Sequence, residues 1–357
     1  MARFAVALCL MGLSSTTALA GEKPIMLAVS DDDGVLLKEG DAKILYYQRA
    51  PKSLEGKWER AGYVHPLYDL DGRVLSEDFP EDHRHHRGVF WAWHQIWVGD
   101  QNAGDGWAIN GLSWNVVEAD GVPVLGDAVA MRAKVLWLSH RLQDQGGEPL
   151  PIVEESTTIV AHRANSNTRL IDFHISLTAL VDDVRIGGSE DAKGYGGFSP
   201  RIRLPEDVRF LSRRGQLQPQ TTSLEGGPWL DCVGSFGDDG KPSGLAILCH
   251  PSLPDFPQRW IIRARRSMQN AMYPGREPIE LSKDKPLVLR YRLVVHRGDT
   301  AHAEIDKLQK QYEREATATL GWDEHTSTQH KHAAQARRLR GRRRNSLARA
   351  SCLYRRQ

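Results

Sequence analysis

Short strand-like runs follow one another along this sequence, and no helical pattern of ten or more residues separates them. Clusters of Gly, Pro, Asp and Asn, such as GDQNAGDG and GDDGKPSG, lie between the runs. Parallel strands need crossover segments, usually helices, so this pattern predicts antiparallel sheets. Seven runs are rich in β-branched or aromatic residues or alternate in polarity: 43–48, 88–98, 128–139, 157–162, 169–180, 245–249 and 287–296.

Two of these runs predict where the core lies. In LIDFHISL (170–177), apolar residues occupy every second position, which indicates one buried face and one face toward water or a ligand. In GVFWAWHQIW (88–97), both alternating sets are largely apolar, so we expect one central strand buried on both faces.

One helix is predicted close to the end of the folded region. Asp299 or Thr300 can cap it, and Ile305, Leu308 and Tyr312 recur at helical spacing to form a narrow apolar stripe. We expect the helix to pack on the outside of the sheet after the last strand. The predicted fold class is therefore all-β, a single antiparallel β-sandwich over residues 21–320 with one C-terminal helix.

The first twenty residues are typical of a secretory signal. Arg3 precedes an apolar run over residues 4–13, and Ala18 and Ala20 form an A-x-A site before Gly21. A membrane anchor needs about 20 apolar residues, which this run does not provide. We therefore expect an exported protein, periplasmic or extracellular, without integral membrane association.

Charge is distributed unevenly. Residues 331–357 hold ten Lys or Arg and no Asp or Glu, whereas residues 21–330 hold 36 basic and 45 acidic side chains. The basic segment 321–357 could be a nucleic-acid patch or a disordered tail. Because no nucleic-acid-binding motif precedes it, we predict a disordered tail and no nucleic-acid partner.

Cys232 and Cys249 could form a disulfide or remain buried thiols. The sequence has no CxxC pair, so it does not indicate a zinc site.

Three histidines lie within four residues in FPEDHRHHRG. Period-two geometry places His83 and His85 on one side, as in a two-histidine metal site, and His86 on the other. Asp82 or Glu81 could supply an oxygen ligand or orient an imidazole. The same groups suit acid–base chemistry near neutral pH, or they could simply bind loop carbonyls. The residues leave a divalent metal and an acid–base role open.

Further candidates lie at other turns. His65 and His250 each precede a proline, which restricts the backbone and fixes where the imidazole points. Glycines in KGYGGFSPRIRLP allow a tight loop that presents Tyr195 as a general acid or stacking group and Arg201 as a clamp. Arg259 follows the second His-Pro pair. Ten tryptophans exceed what a core requires, so several are expected to line a groove.

Several segments together resemble a known family. YVHPLYDLDGRVLSEDFPEDHRHHRGVFWAW, KGYGGFSPRI, LCHPSLPDFPQRW and PLVLRYRLVVHRG occur in this order. They are similar to exported bacterial proteins labelled "methane oxygenase PmoA", also described as a domain of unknown function. The resemblance covers residues 44–297. It implies a β-sandwich similar to galactose-mutarotase-like supersandwiches and a sugar or glycoside ligand. Members often read DHPHHRG, where this chain has Arg84.

These observations lead to one functional expectation: an exported carbohydrate-active enzyme of hydrolase, lyase or epimerase type. The expected catalytic group comprises His65, His83, His85, His86 and Tyr195. The expected substrate-binding group comprises Arg87, Trp91, Trp93, Arg201, His250 and Arg259. Two alternatives remain, a non-catalytic carbohydrate-binding module and a metal oxygenase ligated by His83 and His85.

Overall fold

The computed structural model of the chain describes residues 23–124, 126–265 and 267–315. The expected signal segment (1–20) and basic tail (321–357) lie outside the described residues, so both stay predictions. The regular structure in the described ranges consists of strands and one α-helix. This confirms the all-β class.

The strands are numbered in chain order. The first twelve are β1 (Met26–Ser30), β2 (Gly34–Glu39), β3 (Ala42–Gln48), β4 (Lys52–Leu54), β5 (Lys57–Arg60), β6 (Tyr63–Leu67), β7 (Val89–Ala92), β8 (Gln95–Val98), β9 (Gln101–Gly104), β10 (Leu112–Val122), β11 (Ala128–Gln143) and β12 (Pro149–His162). The second twelve are β13 (Thr168–Ala179), β14 (Val184–Gly187), β15 (Gly197–Pro200), β16 (Arg209–Ser212), β17 (Gly215–Leu217), β18 (Leu224–Glu225), β19 (Trp229–Gly234), β20 (Ser243–Cys249), β21 (Arg259–Ile261), β22 (Asn270–Met272), β23 (Ile279–Glu280) and β24 (Leu287–Arg297). The helix α1 (Ile305–Glu315) follows.

Two nine-stranded antiparallel sheets form the body of the molecule. The first has the order β1-β2-β3-β6-β7-β15-β22-β21-β18, and the second has the order β10-β11-β12-β13-β24-β20-β19-β16-β17. A four-stranded sheet (β23-β14-β8-β9) and the hairpin β4-β5 complete the fold. The long pairs β10–β11, β11–β12 and β13–β24 are antiparallel, as the sequence predicts.

The inner faces of the two large sheets share one apolar core. Trp91 on β7 and Phe198 on β15 contact Phe173 on β13, with ring centroids 6.4 Å and 5.1 Å apart. On β13, Phe173 and its alternating apolar neighbours are buried, and the intervening polar positions are partly exposed. The pattern predicted for this strand is confirmed, and the architecture is a β-sandwich.

The predicted strand 88–98 is wrong in one respect. It is not continuous, because β7 ends at Ala92 in the first sheet and β8 begins at Gln95 in the four-stranded sheet. Between them, the Trp93 indole enters the core and donates from Nε1 to the Tyr273 carbonyl at 2.8 Å. His94 is only partly buried and lies on the other side. The sequence does not reveal that the chain changes sheets between β7 and β8, because both strands are buried and read as one apolar run.

Helix α1 packs on the outer face of the second sheet. Ile305 and Tyr312 are buried in a cluster with Trp229 and Ala246, and Leu308 packs against it, so the predicted stripe is confirmed. The helix begins one turn later than the sequence suggests, because Asp299 accepts from the His302 amide at 2.9 Å in a preceding turn. No helix in the described ranges is long and apolar enough to cross a membrane.

Cys232 and Cys249, for which the sequence left a disulfide open, are buried free thiols.

A separate apolar cluster lies on the outer face of the first sheet and contains Tyr63, Phe90 and Trp107. The loop between β6 and β7 reaches this face and carries the histidine-rich segment.

Candidate functional site

The three clustered histidines lie on consecutive turns rather than on an extended strand. The His86 amide donates to the His83 carbonyl at 2.8 Å, which closes a turn. The rings of His83 and His86 therefore stack at 4.7 Å with planes 6° apart, and His85 meets His86 edge-on at 4.7 Å. The predicted period-two arrangement, with His83 and His85 together and His86 opposite, is wrong because the segment is a turn.

Arg201 holds this turn from below. Its side chain is 1% exposed and donates from Nε to Glu77 at 2.8 Å and from Nη2 to Asp82 at 2.9 Å. Its Nη1 lies 3.2 Å from His86 Nδ1. Since a guanidinium can only donate, His86 Nδ1 accepts and the ring carries its proton on Nε2. Arg201 thus positions the histidine turn, and these three contacts occupy all three of its nitrogens.

Burial makes the inner histidines neutral. Burial, followed by repulsion from His83 and His94, lowers the pKa of His85 to about 4. Burial, followed by repulsion from His85 and Arg201, lowers the pKa of His86 still further. Both rings are therefore uncharged near pH 7, where each can accept or donate a hydrogen bond to a neutral group.

A second histidine–carboxylate pair adjoins the cluster. His94 Nδ1 lies 2.9 Å from Asp105 Oδ2, and His94 Nε2 is buried without a hydrogen-bond partner in the described residues. The His94 ring stacks on Trp107 at 5.6 Å and meets Tyr195 edge-on at 4.9 Å. His86 also contacts Trp107, at 5.8 Å, so one continuous site joins both groups of histidines.

Tyr195 reaches the site on a glycine-rich loop. Gly194 and Gly197 adopt φ of 61° and 93°, a region that favours glycine, as the sequence suggests. The Ser189 side chain and backbone bind the Tyr195 backbone at 3.2 Å and 2.9 Å. The Tyr195 ring is partly buried, and burial raises the pKa of its hydroxyl. It therefore stays a neutral donor and acceptor at physiological pH.

Arg87 belongs to the scaffold beside the site. It is fully buried and donates to Asp78 at 2.6 Å, to two backbone carbonyls and to Tyr63 Oη. It has no surface for a substrate. His65 lies next to this network, with Nδ1 2.9 Å from Ser76 Oγ, and its pKa is lowered by burial to about 4. His65 thus has a structural partner of its own in Ser76, and no ring contact links it to the three clustered histidines in the described residues.

The site does not fit a metal centre of three or more ligands. Stacked parallel rings such as His83 and His86 direct their in-plane lone pairs side by side rather than toward one point. His83 Nδ1 also binds Asp82 Oδ2 at 2.8 Å. In the part of the chain that the structure describes, no group of three His, Cys, Asp or Glu side chains could hold a metal ion. The metal role of His83 and His85 stays a prediction without a third ligand.

Trp91 and Trp93 are 1% and 0% exposed and belong to the core between the sheets. Neither indole can stack on a ligand, contrary to the expectation for these aromatic residues. The Trp91 side chain points from β7 toward Phe173 on the second sheet. Trp93 lies where the chain passes from the first sheet to the four-stranded sheet, and its indole enters the core there. Of the aromatic rings that adjoin the histidines, Tyr195 is the partly exposed one.

Two other expected ligand-binding residues lie away from the cluster. His250 is buried on the outer side of the second sheet, where it meets Tyr312 of α1 at 4.9 Å. Arg259 lies on β21, three strands from β7, which corresponds to about 14 Å. It is exposed and donates to Ser223 Oγ at 2.9 Å. The structure therefore brings neither residue to the histidines.

Sequence reasoning missed His94, Asp105 and Trp107. His94 is the one histidine inside an otherwise apolar and aromatic run, and this interruption was the available signal. Asp105 and Trp107 lie in GDQNAGDGW, which is typical of a turn and carries no mark of a site.

A separate cleft of about 540 Å³ lies between the second sheet and the start of α1. Its lining includes Arg209, Trp229 and Lys307 but no histidine. Asp306, also in the lining, is bound by Arg213 at 2.8 Å and by Trp229 at 3.2 Å. The Asp306 carboxylate thus has structural partners, and the histidine cluster remains the stronger candidate for chemistry.

No curated protein matches this sequence. Residues 34–310, which include the histidine turn, the Tyr195 loop and most of α1, match the model of a family of unknown function (DUF6807). Since this match covers well over half of the 357 residues, the chain belongs to that family.

Proposed function

We propose that this protein is an exported carbohydrate-active enzyme that acts on a neutral sugar or glycoside at the histidine cluster. One observation carries the proposal. His85, a neutral and partly exposed imidazole, meets His86 edge-on, and His86 and His94 both contact the Trp107 ring. His94 Nε2 is buried without a partner in the described residues. A buried polar atom without a hydrogen bond costs about 1–3 kcal/mol, a cost that a bound ligand hydroxyl at Nε2 would offset.

Sugar hydroxyls suit this set of groups. Neutral imidazoles and the Tyr195 hydroxyl can both donate and accept, as alcohol groups require. The partly exposed Tyr195 ring offers an aromatic surface of the kind that packs on sugar rings. The motif resemblance also implies a sugar or glycoside ligand and a mutarotase-like sandwich, which supports the same proposal.

The buried arginines favour a neutral sugar over a uronic acid. Arg201 is bound to Glu77 and Asp82, and Arg87 is bound to Asp78 and to backbone carbonyls. To bind either of these two guanidinium groups, a carboxylate ligand would have to break one of these pairs, and breaking a buried pair is costly. A ligand without charge avoids this cost.

A screen of oligosaccharides tests the proposal. Neutral cello-, xylo- and galacto-oligosaccharides form one arm, and polygalacturonate and alginate oligomers form the other. Turnover is followed by product NMR, and binding by thermal shift. A neutral ligand at 100 times its Kd stabilises the native state by about 2.7 kcal/mol. For a chain of this size we expect a rise in Tm of about 5 °C.

Two variants locate the effect. His85→Ala removes a ring from the cluster, and His140→Ala removes an exposed histidine on β11 of the other sheet. We expect His85→Ala to lose the thermal shift and turnover, and His140→Ala to keep both. The proposal fails if no oligosaccharide acts on the wild type, or if His85→Ala responds as the wild type does. A response to uronates alone overturns the neutral-ligand part.

A further inference from the structure

We propose that His94 is the proton acceptor of this site and that Asp105 positions it. The inference rests on the proposed function and deepens it, since sequence motifs place neither residue in the site. Asp105 Oδ2 lies 2.9 Å from His94 Nδ1. An ionised carboxylate can only accept, so Nδ1 carries the proton and the lone pair of the neutral ring resides on Nε2.

The surroundings fix this imidazole firmly. Trp107 stacks on the ring at 5.6 Å with planes 23° apart, and Tyr195 meets it edge-on at 4.9 Å. Trp107 is 1% exposed and donates its amide to the Trp93 carbonyl at 3.1 Å, beside the backbone of His94 itself. A base whose ring cannot turn presents its lone pair in one direction, which is the condition for efficient proton transfer.

The carboxylate is fixed as well. Asp105 Oδ1 accepts from the Ala108 amide at 2.8 Å, and the backbones of Asp105 and Asn110 pair at 2.8 and 2.9 Å. Buried Arg60 donates to the Gly106 carbonyl at 3.2 Å and holds the same loop against the sheet. Asp105 thus has one oxygen for the loop and one for the histidine.

The proposed step is a proton transfer from a ligand hydroxyl to His94. A ligand hydroxyl gives its proton to Nε2: the O–H bond breaks, an N–H bond forms, and the electron pair stays on the ligand oxygen. The imidazolium that forms is stabilised by the Asp105 carboxylate. The proton returns to the product oxygen or to water at the end of the cycle.

Substitutions that keep the shape of the site test the inference. Asp105→Asn can keep the bond to Ala108 through its amide oxygen, while its NH₂ faces His94 and forces the proton onto Nε2. His94→Gln keeps a polar side chain without a titrating ring. The matched control is His162→Gln, because His162 Nε2 binds Asp172 at 2.7 Å on the second sheet.

The measurements are kcat and KM on the best neutral oligosaccharide, and histidine tautomers by ¹⁵N NMR of the full chain. We expect Asp105→Asn and His94→Gln to lower kcat at least 100-fold with KM changed less than threefold. We expect His162→Gln to match the wild type. In the wild type at pH 8, the NMR signal of His94 should show a protonated Nδ1, and Asp105→Asn should move the proton to Nε2.

Two results overturn the inference: a His94→Gln kcat within threefold of the wild type, or a wild-type His94 protonated on Nε2 at pH 8. Failure of the proposed function is a different result. There, no oligosaccharide binds or reacts with the wild type, and the tautomer of His94 still decides whether Asp105 orients it.

Discussion

Replacement of Arg201 by alanine offers the sharpest test of how the histidine turn is held. Arg201 is 1% exposed and pairs with Glu77 at 2.8 Å and Asp82 at 2.9 Å, whose side chains are 27% and 23% exposed. Removal of one partner of a buried ion pair costs about 3–5 kcal/mol. Because the two carboxylates regain some water, we expect a loss of about 3 kcal/mol, which lowers Tm by about 6 °C.

Arg213 provides the matched control. It also pairs with two carboxylates, Asp306 at 2.8 Å and Glu313 at 3.6 Å, but its side chain is 40% exposed. Exposed ion pairs contribute about 0–1 kcal/mol, so Arg213→Ala should lower Tm by less than about 2 °C. The assay is thermal unfolding followed by tryptophan fluorescence, with urea unfolding of the same variants for the free energy. If the two variants lose equal stability, the claim that burial makes Arg201 the anchor of the turn is refuted.

Three further predictions follow from burial and from the expected signal segment. His65 and His85 have native pKa values of about 4, below the ordinary 6.5, so each takes up about one proton on unfolding at pH 5. Stability should therefore fall from pH 6.5 to pH 4, and replacement of either histidine by Gln should make the loss shallower; an unchanged slope contradicts this. Cys232 and Cys249 should resist a thiol reagent in buffer and react in urea, and rapid labelling of the native protein would count against their burial. Mass spectrometry of the protein purified from a bacterial host should find Gly21 at its N-terminus, whereas an intact residue 1 would exclude cleavage there.

The sequence predicted the fold class for a simple physical reason. Alternation on β13 and the stripe of Ile305 and Tyr312 on α1 record which side of each element is buried, and burial dominates folding. The break between β7 and β8 escaped prediction because both strands are buried and look like one apolar run. Sheet order is likewise absent from local patterns, since it depends on pairing between distant segments.

The candidate site was predicted in part. His83, His85 and His86 stood out by density, and Tyr195 by the glycines around it. The spacing of these residues in the sequence does not predict their contacts in the fold. Arg87 and Arg201 form ion pairs with carboxylates that only the tertiary fold brings close to them. For the same reason, the pairing of His94 with Asp105 needed the structure.

The proposed ligand site is the histidine turn above the first sheet. Histidine-selective ¹H–¹³C NMR tests it most directly, with the wild-type protein titrated against the best neutral oligosaccharide from the screen. We predict that the ring signals of His83, His85 and His94 shift with one common Kd, while those of His140 and His250 stay fixed. Shifts confined to His140 or His250, with the cluster unmoved, would contradict it.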